Sequence, residues 1–130
     1  MKVFSKFFIA GALAFTSLAS FAHAQEVLSV TADSLDKEFS ENKLEAEKKY
    51  NNTPFNIKAV INTISKSKNS EAYLELNSER LSVPIIKAYL TPAAVKKALE
   101  LRSGLEVTLH CARASKPKAV VRAYSCDFTK

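Results

Sequence analysis

Very little in this sequence has the chemistry of a catalyst. Beyond its first 24 residues it carries one histidine, His110. A histidine titrates near neutral pH and can move protons, but acid–base catalysis needs a second group placed beside it. No such partner is identifiable by spacing, so His110 reads as a surface residue of a strand. Glu71 and Glu75 flank Tyr73 on alternate positions. Two carboxylates are the pair that glycoside hydrolysis employs, yet on the outer face of a short strand they read as solvation. Two glycines, Gly11 and Gly104, are too few for a phosphate-cradling loop, and there is no nucleophile elbow, HExxH or calcium-loop pattern. The expectation is a protein that is not an enzyme and uses no cofactor and no metal.

Cys111 and Cys126 are the two cysteines, 15 residues apart. That spacing fits neither a CxxC redox motif nor a zinc pair. In an oxidising compartment an even pair forms a disulfide, which for a loop of this length contributes about 3 kcal/mol. The first residues indicate such a compartment. Lys2 and Lys6 precede an apolar run from Phe7 to Phe21, and Ala22-His23-Ala24 is a small-x-small site before Gln25. This is the pattern of a signal peptide, residues 1–24, cut between Ala24 and Gln25. No cysteine follows the cut, so no lipid anchor is expected there. No later stretch approaches the ~20 apolar residues of a membrane-spanning helix. Residues 25–130 are then one domain, periplasmic or secreted, and expected to be a monomer.

Charge is unevenly spread along that domain. Residues 26–79 hold 10 acids and 7 bases, and residues 80–130 hold 10 bases and 3 acids. A basic surface on an exported protein points to acidic glycans, lipid phosphates or an acidic envelope protein, and places nucleic acid behind them.

The elements that must position these charges are well punctuated. Leu35, Phe39, Asn42, Ala46 and Tyr50 share one arc at helical spacing, which predicts a single amphipathic helix over 31–50. Asp33 to Lys37 and Glu45 to Lys49 are favourable i,i+4 pairs. Within this stripe the polar Asn42 is expected to cap barrel backbone. Phe55, Ile57, Ala59 and Ile61 alternate with polar positions as a first strand, disturbed near Ile61 and Ile64 as by a bulge. Ala72, Leu74 and Leu76 alternate likewise in a second. Strand three covers Leu81 to Leu90, with Pro84 marking an edge or a bulge. Thr91 and Pro92 start a helix whose Ala94, Val95, Ala98, Leu99 and Leu101 share a face, and Gly104 suits its end. Strand four runs from Leu105 to Ala112, and strand five from Ala119 to Phe128, joined by the basic turn at Ser115 to Lys118. The fold class is mainly β with two helices. Five strands with a helix between the third and fourth is the β-β-β-α-β-β order of a five-stranded OB-fold barrel, here preceded by an N-terminal amphipathic helix.

The segment LDKEFSENKLEAEKKYNNTPFNIKAVINTI resembles the opening of the tRNA_anti-like OB-fold proteins, small exported or lipid-anchored bacterial proteins. Leu35, Phe39, Asn42, Ala46 and Tyr50 match that family's helix spacing. LRSGLEVTLHC resembles its strand after the barrel helix, and YSCDF its closing strand. The chain departs from the pattern in lacking Gly after Tyr50 and in carrying Ala59 and His110 where the family often has Gly. The resemblance implies an OB fold.

An OB barrel offers the face of its second and third strands and the flanking loops to oligonucleotides, oligosaccharides or proteins. Tyr73, Arg80, Lys87 and Tyr89 fall in that region, and Arg113, Lys116, Lys118 and Arg122 fall on the closing hairpin. Rings interleaved with cations can stack sugars or bases while holding phosphates or carboxylates. The expected function is a binding module of the bacterial envelope for a glycan, anionic group or small molecule. The alternative is a protein-interaction factor, such as an inhibitor of an envelope or host hydrolase, acting through the loops at Ser65 to Ser70 and Ser115 to Lys118. Nucleic-acid binding outside the cytoplasm is the third reading.

Overall fold

The computed structural model describes residues 27–66 and 71–129. The expected signal peptide and its cut, and most of the loop at 65–70, lie outside the described residues. The elements in chain order are β1 (Leu28–Thr31), α1 (Ala32–Glu41), α2 (Lys43–Asn51), β2 (Phe55–Lys66), β3 (Ala72–Asn77), β4 (Pro84–Leu90), α3 (Pro92–Ala98), β5 (Glu106–Cys111), β6 (Arg113–Ser115) and β7 (Val121–Phe128). Five strands close a barrel in the order β2-β3-β4-β7-β5, with β5 returning to β2. The β4–β7 pair is parallel and the other barrel pairs are antiparallel. This is the OB-fold circuit, so the predicted barrel is present.

Alternation built it. Phe55, Ile57, Ala59 and Ile61 of β2, Leu74 and Leu76 of β3, Ile86 and Ala88 of β4, and Val121 and Ala123 of β7 are all fully buried. The disturbance near Ile61 is real, for the β2–β3 register shifts between Ile61 and Thr63. Pro84 begins β4 as its first residue, where no ladder donor is lost. Residues 81–83 are therefore turn, where the sequence predicts strand.

The N-terminal part departs from expectation in three ways. The lead-in Leu28–Thr31 forms β1, parallel to β2 with Leu28 opposite Phe55, on the same β2 edge that β3 uses further along. The predicted helix over 31–50 is two helices, so the chain has three helices among its described residues, not two. The break is Asn42, at φ −154° and ψ 90°, which ends α1 and caps α2 by accepting from the Glu45 N–H at 3.2 Å. An asparagine side chain competes with helical backbone in this manner, so it caps a helix and not the barrel. Thr31 caps α1 in a reciprocal pair with Ser34. The apolar arc survives the break, because Leu35, Phe39, Ala46 and Tyr50 are all buried. Tyr50 stacks on Phe39 at 5.8 Å and meets Phe55 edge-on at 5.2 Å.

The ion pairs differ as well. Lys49 reaches Glu38 on α1 at 2.8 Å in place of Glu45, closing the angle between the helices. The Tyr50 hydroxyl donates to the other Glu38 oxygen at 2.6 Å. Burial raises the Glu38 carboxyl, but the hydrogen bonds from Lys49 and Tyr50 and the Lys49 charge outweigh it and hold it below the usual range. Burial, then Glu38, pushes the Tyr50 hydroxyl well above the phenol range. Lys37 pairs with Glu41, and Asp33 instead turns to the β3–β4 connection. There its carboxylate accepts from the buried Ser78 hydroxyl, from the Glu79 N–H at 2.8 Å and from the Arg80 N–H at 3.4 Å. This clamp fixes α1 at the barrel end where β3 turns into β4.

At the opposite end α3 packs on β4 and β7. Thr91 caps it, accepting from the Ala94 N–H, and donates to Asp127 of β7. The helix ends at Ala98, sooner than its apolar spacing suggests. Leu99 is 71% exposed, and Ala94 and Ala98 carry the buried contact. Gly104, at φ +91°, serves the entry to β5, its N–H donating to the Ile61 carbonyl at 2.8 Å. The helical pair and α3 thus lie at the two ends of the barrel.

Candidate functional site

In β3, β4 and β7, each inward apolar side chain leaves its neighbour on the outer wall. Two rows of outward residues cross the strands as a result. Ser65, Tyr73 and Tyr89 are aligned in one, Tyr73 standing opposite Tyr89. Thr63, Glu75, Lys87, Arg122 and Ser115 are aligned in the other across β2, β3, β4, β7 and β6.

The first row continues onto β7 through a bulge. Ala88 pairs with Ala123 and Leu90 with Cys126, so Tyr89 alone faces both Tyr124 and Ser125. Ser125 is the extra residue and takes φ +55°, the left-handed conformation. The extra residue resets the alternation. Tyr124 faces outward, and Cys126 still turns inward to its disulfide with Cys111, both sulfurs being buried. The predicted disulfide and the outer face therefore depend on the same irregularity.

Tyr73, Tyr89 and Tyr124 form a continuous ring row. The Tyr73 and Tyr89 centroids are 5.2 Å apart, and Tyr89 and Tyr124 are 5.6 Å apart with planes 9° from parallel. A cation lies on each end. Lys87 Nζ is 5.2 Å from the Tyr73 centroid, and the Arg113 guanidinium carbon is 4.2 Å from that of Tyr124. Such contacts hold long flexible cations in place at partly exposed rings. Among the described residues no carboxylate lies within 4.0 Å of the Lys87, Arg113 or Arg122 charge. The face thus presents half-buried rings beside three cations that remain available to an anion.

Of the eight binding residues expected from sequence, the structure brings together Tyr73, Lys87, Tyr89, Arg113 and Arg122. The other three stand apart. Arg80 sits in the β3–β4 turn, its backbone bound to Asp33 and Ser78, at the far end of β3 from Tyr73. The Lys116 side chain is 19% exposed and lies against α1, 3.7 Å from Asp36 and 3.4 Å from the Ser40 hydroxyl. Lys118 is exposed in the bend at 117–120, beyond the strands. Tyr124 was not among the expected residues, although counting alternation from Val121 places it outward beside Arg122. His110 lies on β5, exposed, with Nδ1 2.9 Å from the Asn56 amide oxygen.

Concavities lie elsewhere, among them one of about 450 Å³ lined by Glu71, Ala72, Leu90, Pro92 and Val95 and one of about 320 Å³ between α2 and β6 lined by Leu44, Glu47, Lys48 and Ser115. One of about 140 Å³ between α3 and the β2–β3 hairpin is lined by Ile64, Ala72, Val95 and Leu99. Another of about 270 Å³ in the α1–α2 notch is lined by Glu38, Glu41, Glu45 and Lys49. None of these four is lined by an aromatic ring, as the outer wall is. Among the described residues no group of three His, Cys, Asp or Glu side chains is placed to hold a metal ion, and no helix is long and apolar enough to cross a membrane.

Among curated proteins none matches the chain. Among solved structures it is similar to a crystal structure described as a "putative nucleic acid-binding lipoprotein" from Klebsiella pneumoniae subsp. pneumoniae. The TM-score is 0.65 at 14% identity, covering 80% of this chain and 92% of that one. At such identity the likeness concerns the fold. The tRNA_anti-like family model matches residues 4–126, a span that takes in the helical pair, the barrel strands as far as Cys126 of β7, and both cysteines. The chain is a member of the tRNA_anti-like family.

Proposed function

We propose that this protein is a non-enzymatic, exported binding module that holds an anionic ligand on the outer wall of strands β3, β4 and β7. The observation that carries this reading is the tyrosine row with Lys87, Arg113 and Arg122 beside it, none of them within 4.0 Å of a carboxylate among the described residues. Half-buried rings supply contact area at low entropic cost, and the cations supply attraction and orientation. Export is supported by the disulfide and by the signal-like first 24 residues. The similar lipoprotein's description favours a second reading of the same face, nucleic acid as the anion.

Chromatography on phosphocellulose tests the site. Replacing Lys87 and Arg122 together by serine moves elution to markedly lower salt. Replacing Arg80 and Lys118 by serine removes the same charge from elsewhere and moves it little. Equal shifts for the two pairs would show that only net charge is felt, and the site would be abandoned.

A further inference from the structure

The charged row across the face is not uniformly basic. Thr63, Glu75, Lys87 and Arg122 stand in register on four successive strands. The Thr63 hydroxyl donates to Glu75 Oε1 at 2.9 Å, which holds the carboxylate on the face beside Tyr73. Among the described residues no cation lies within 4.0 Å of Glu75, since Lys87 leans over the Tyr73 ring instead. The face therefore has a hydroxyl-and-carboxylate side on β2 and β3 and a cationic side on β4 and β7, with Glu75 one strand spacing, about 5 Å, from Lys87 and two, about 10 Å, from Arg122.

That polarity selects among anionic polymers. A nucleic acid carries a phosphate at every nucleotide, and a strand laid across β3, β4 and β7 brings one toward the Glu75 carboxylate, which repels it. A carboxylate oxygen without a donor suits a ligand rich in hydroxyl groups, because an ionised acceptor makes the stronger hydrogen bonds. Sugar rings also present apolar faces to tyrosine.

We propose that the face binds an acidic glycan in which a neutral sugar adjoins an acidic one. The neutral sugar lies at Tyr73 and Tyr89 with its hydroxyls donating to Glu75. The carboxylate of the acidic sugar pairs with Arg122 and draws Lys87 off the Tyr73 ring to join it. This rests on the reading of the wall as the binding site, and it adds the ligand class and makes Glu75 its selectivity residue.

The chain has no tryptophan and four tyrosines, three of them on this face, so intrinsic tyrosine fluorescence reports binding directly. The probes are a hyaluronan oligosaccharide, which alternates neutral and acidic sugars, a neutral chitooligosaccharide, and an oligothymidylate. The expected result is saturable quenching by the hyaluronan oligosaccharide, tighter than by either other probe. Glu75→Gln weakens the hyaluronan oligosaccharide by roughly fivefold and strengthens the oligothymidylate, opposite changes that a loss of fold cannot produce. Absence of quenching by the hyaluronan oligosaccharide overturns the proposal. So does tighter binding of oligothymidylate with Glu75→Gln shifting both probes alike, although the wall would then remain the binding site. If Lys87→Ser with Arg122→Ser alters no probe, the site and the glycan both fall.

Discussion

The clamp between α1 and the β3–β4 turn makes a prediction whose size and pH dependence both follow from geometry. Asp33→Asn keeps the shape of the side chain and removes its charge. At position 33 the carboxylate accepts from one buried hydroxyl and two backbone N–H groups. An amide has one acceptor oxygen and must turn its NH₂ toward the remaining donors, so one hydrogen bond to a charged acceptor is lost outright. Such a bond is worth about 1.5–3 kcal/mol when shielded, and solvent at this half-exposed site reduces it to about 1 kcal/mol. In a domain of this length that lowers the melting temperature by roughly 5 °C. The hydrogen bond from Ser78 chiefly, joined by the two N–H groups and the Arg80 charge, holds the Asp33 carboxyl below its ordinary value against the opposing effect of burial. A depressed folded-state value means that the stabilisation is complete above the unfolded-chain value near 3.8 and is lost as pH falls through the folded one. Urea denaturation of the two proteins at neutral pH and in a series down through the acid range checks this. The stability gap narrows toward acid. A gap independent of pH would refute the assignment of the loss to the carboxylate charge.

Other outcomes are accessible to simple measurements. Replacing both Cys111 and Cys126 by alanine lowers stability by about 3 kcal/mol or more, since the lost cross-link closes a 15-residue separation and both side chains are buried; a smaller change in denaturant midpoint than in an Arg80→Ser control would contradict it. Asn42→Ala costs about 1 kcal/mol by removing the cap of α2. If the sequence preferred one continuous helix, the alanine protein would instead be more stable and more helical by circular dichroism. Lys116→Ala leaves phosphocellulose retention nearly unchanged, because Asp36 and Ser40 already engage that amine. A loss as large as that of Arg122→Ser would place Lys116 at the ligand.

Much of this molecule is legible in its sequence, and the reasons differ by element. The strands that line the core announce themselves because every second residue of Ala72, Leu74 and Leu76 must be apolar to bury. The apolar arc from Leu35 to Tyr50 is equally plain, yet periodicity cannot see that Asn42 trades helix for a cap, since one residue of non-helical backbone leaves the arc intact. Short β1 is invisible because parallel pairing of Leu28 with Phe55 is a long-range event with no local pattern. Of the site, Tyr73, Lys87, Tyr89, Arg113 and Arg122 were reachable from strand alternation. Arg80 and Lys116 carry the right charge near the right strands and hairpin, but that says nothing about an Asp36 that waits on another element. Parity held a clue to the bulge. Cys126 lies an odd number of residues from Val121 and Ala123, so burying all three demands an extra residue between them, and Ser125 is that residue.

Of the described strands β7 is the last to be made, and like β2 it has three partners. β7 pairs with β4, β5 and β6, and β4–β7 is the parallel step that shuts the barrel. A chain synthesised from its N-terminus therefore cannot close until its final residues arrive, and its Cys126 is the later of the two cysteines to appear. Folding is governed by contacts far apart in sequence, which places it among slow-folding β proteins. Until then β4, β5 and β6 expose unpaired backbone along an edge. Truncation before Val121 turns that passing state into a lasting one, and the product aggregates.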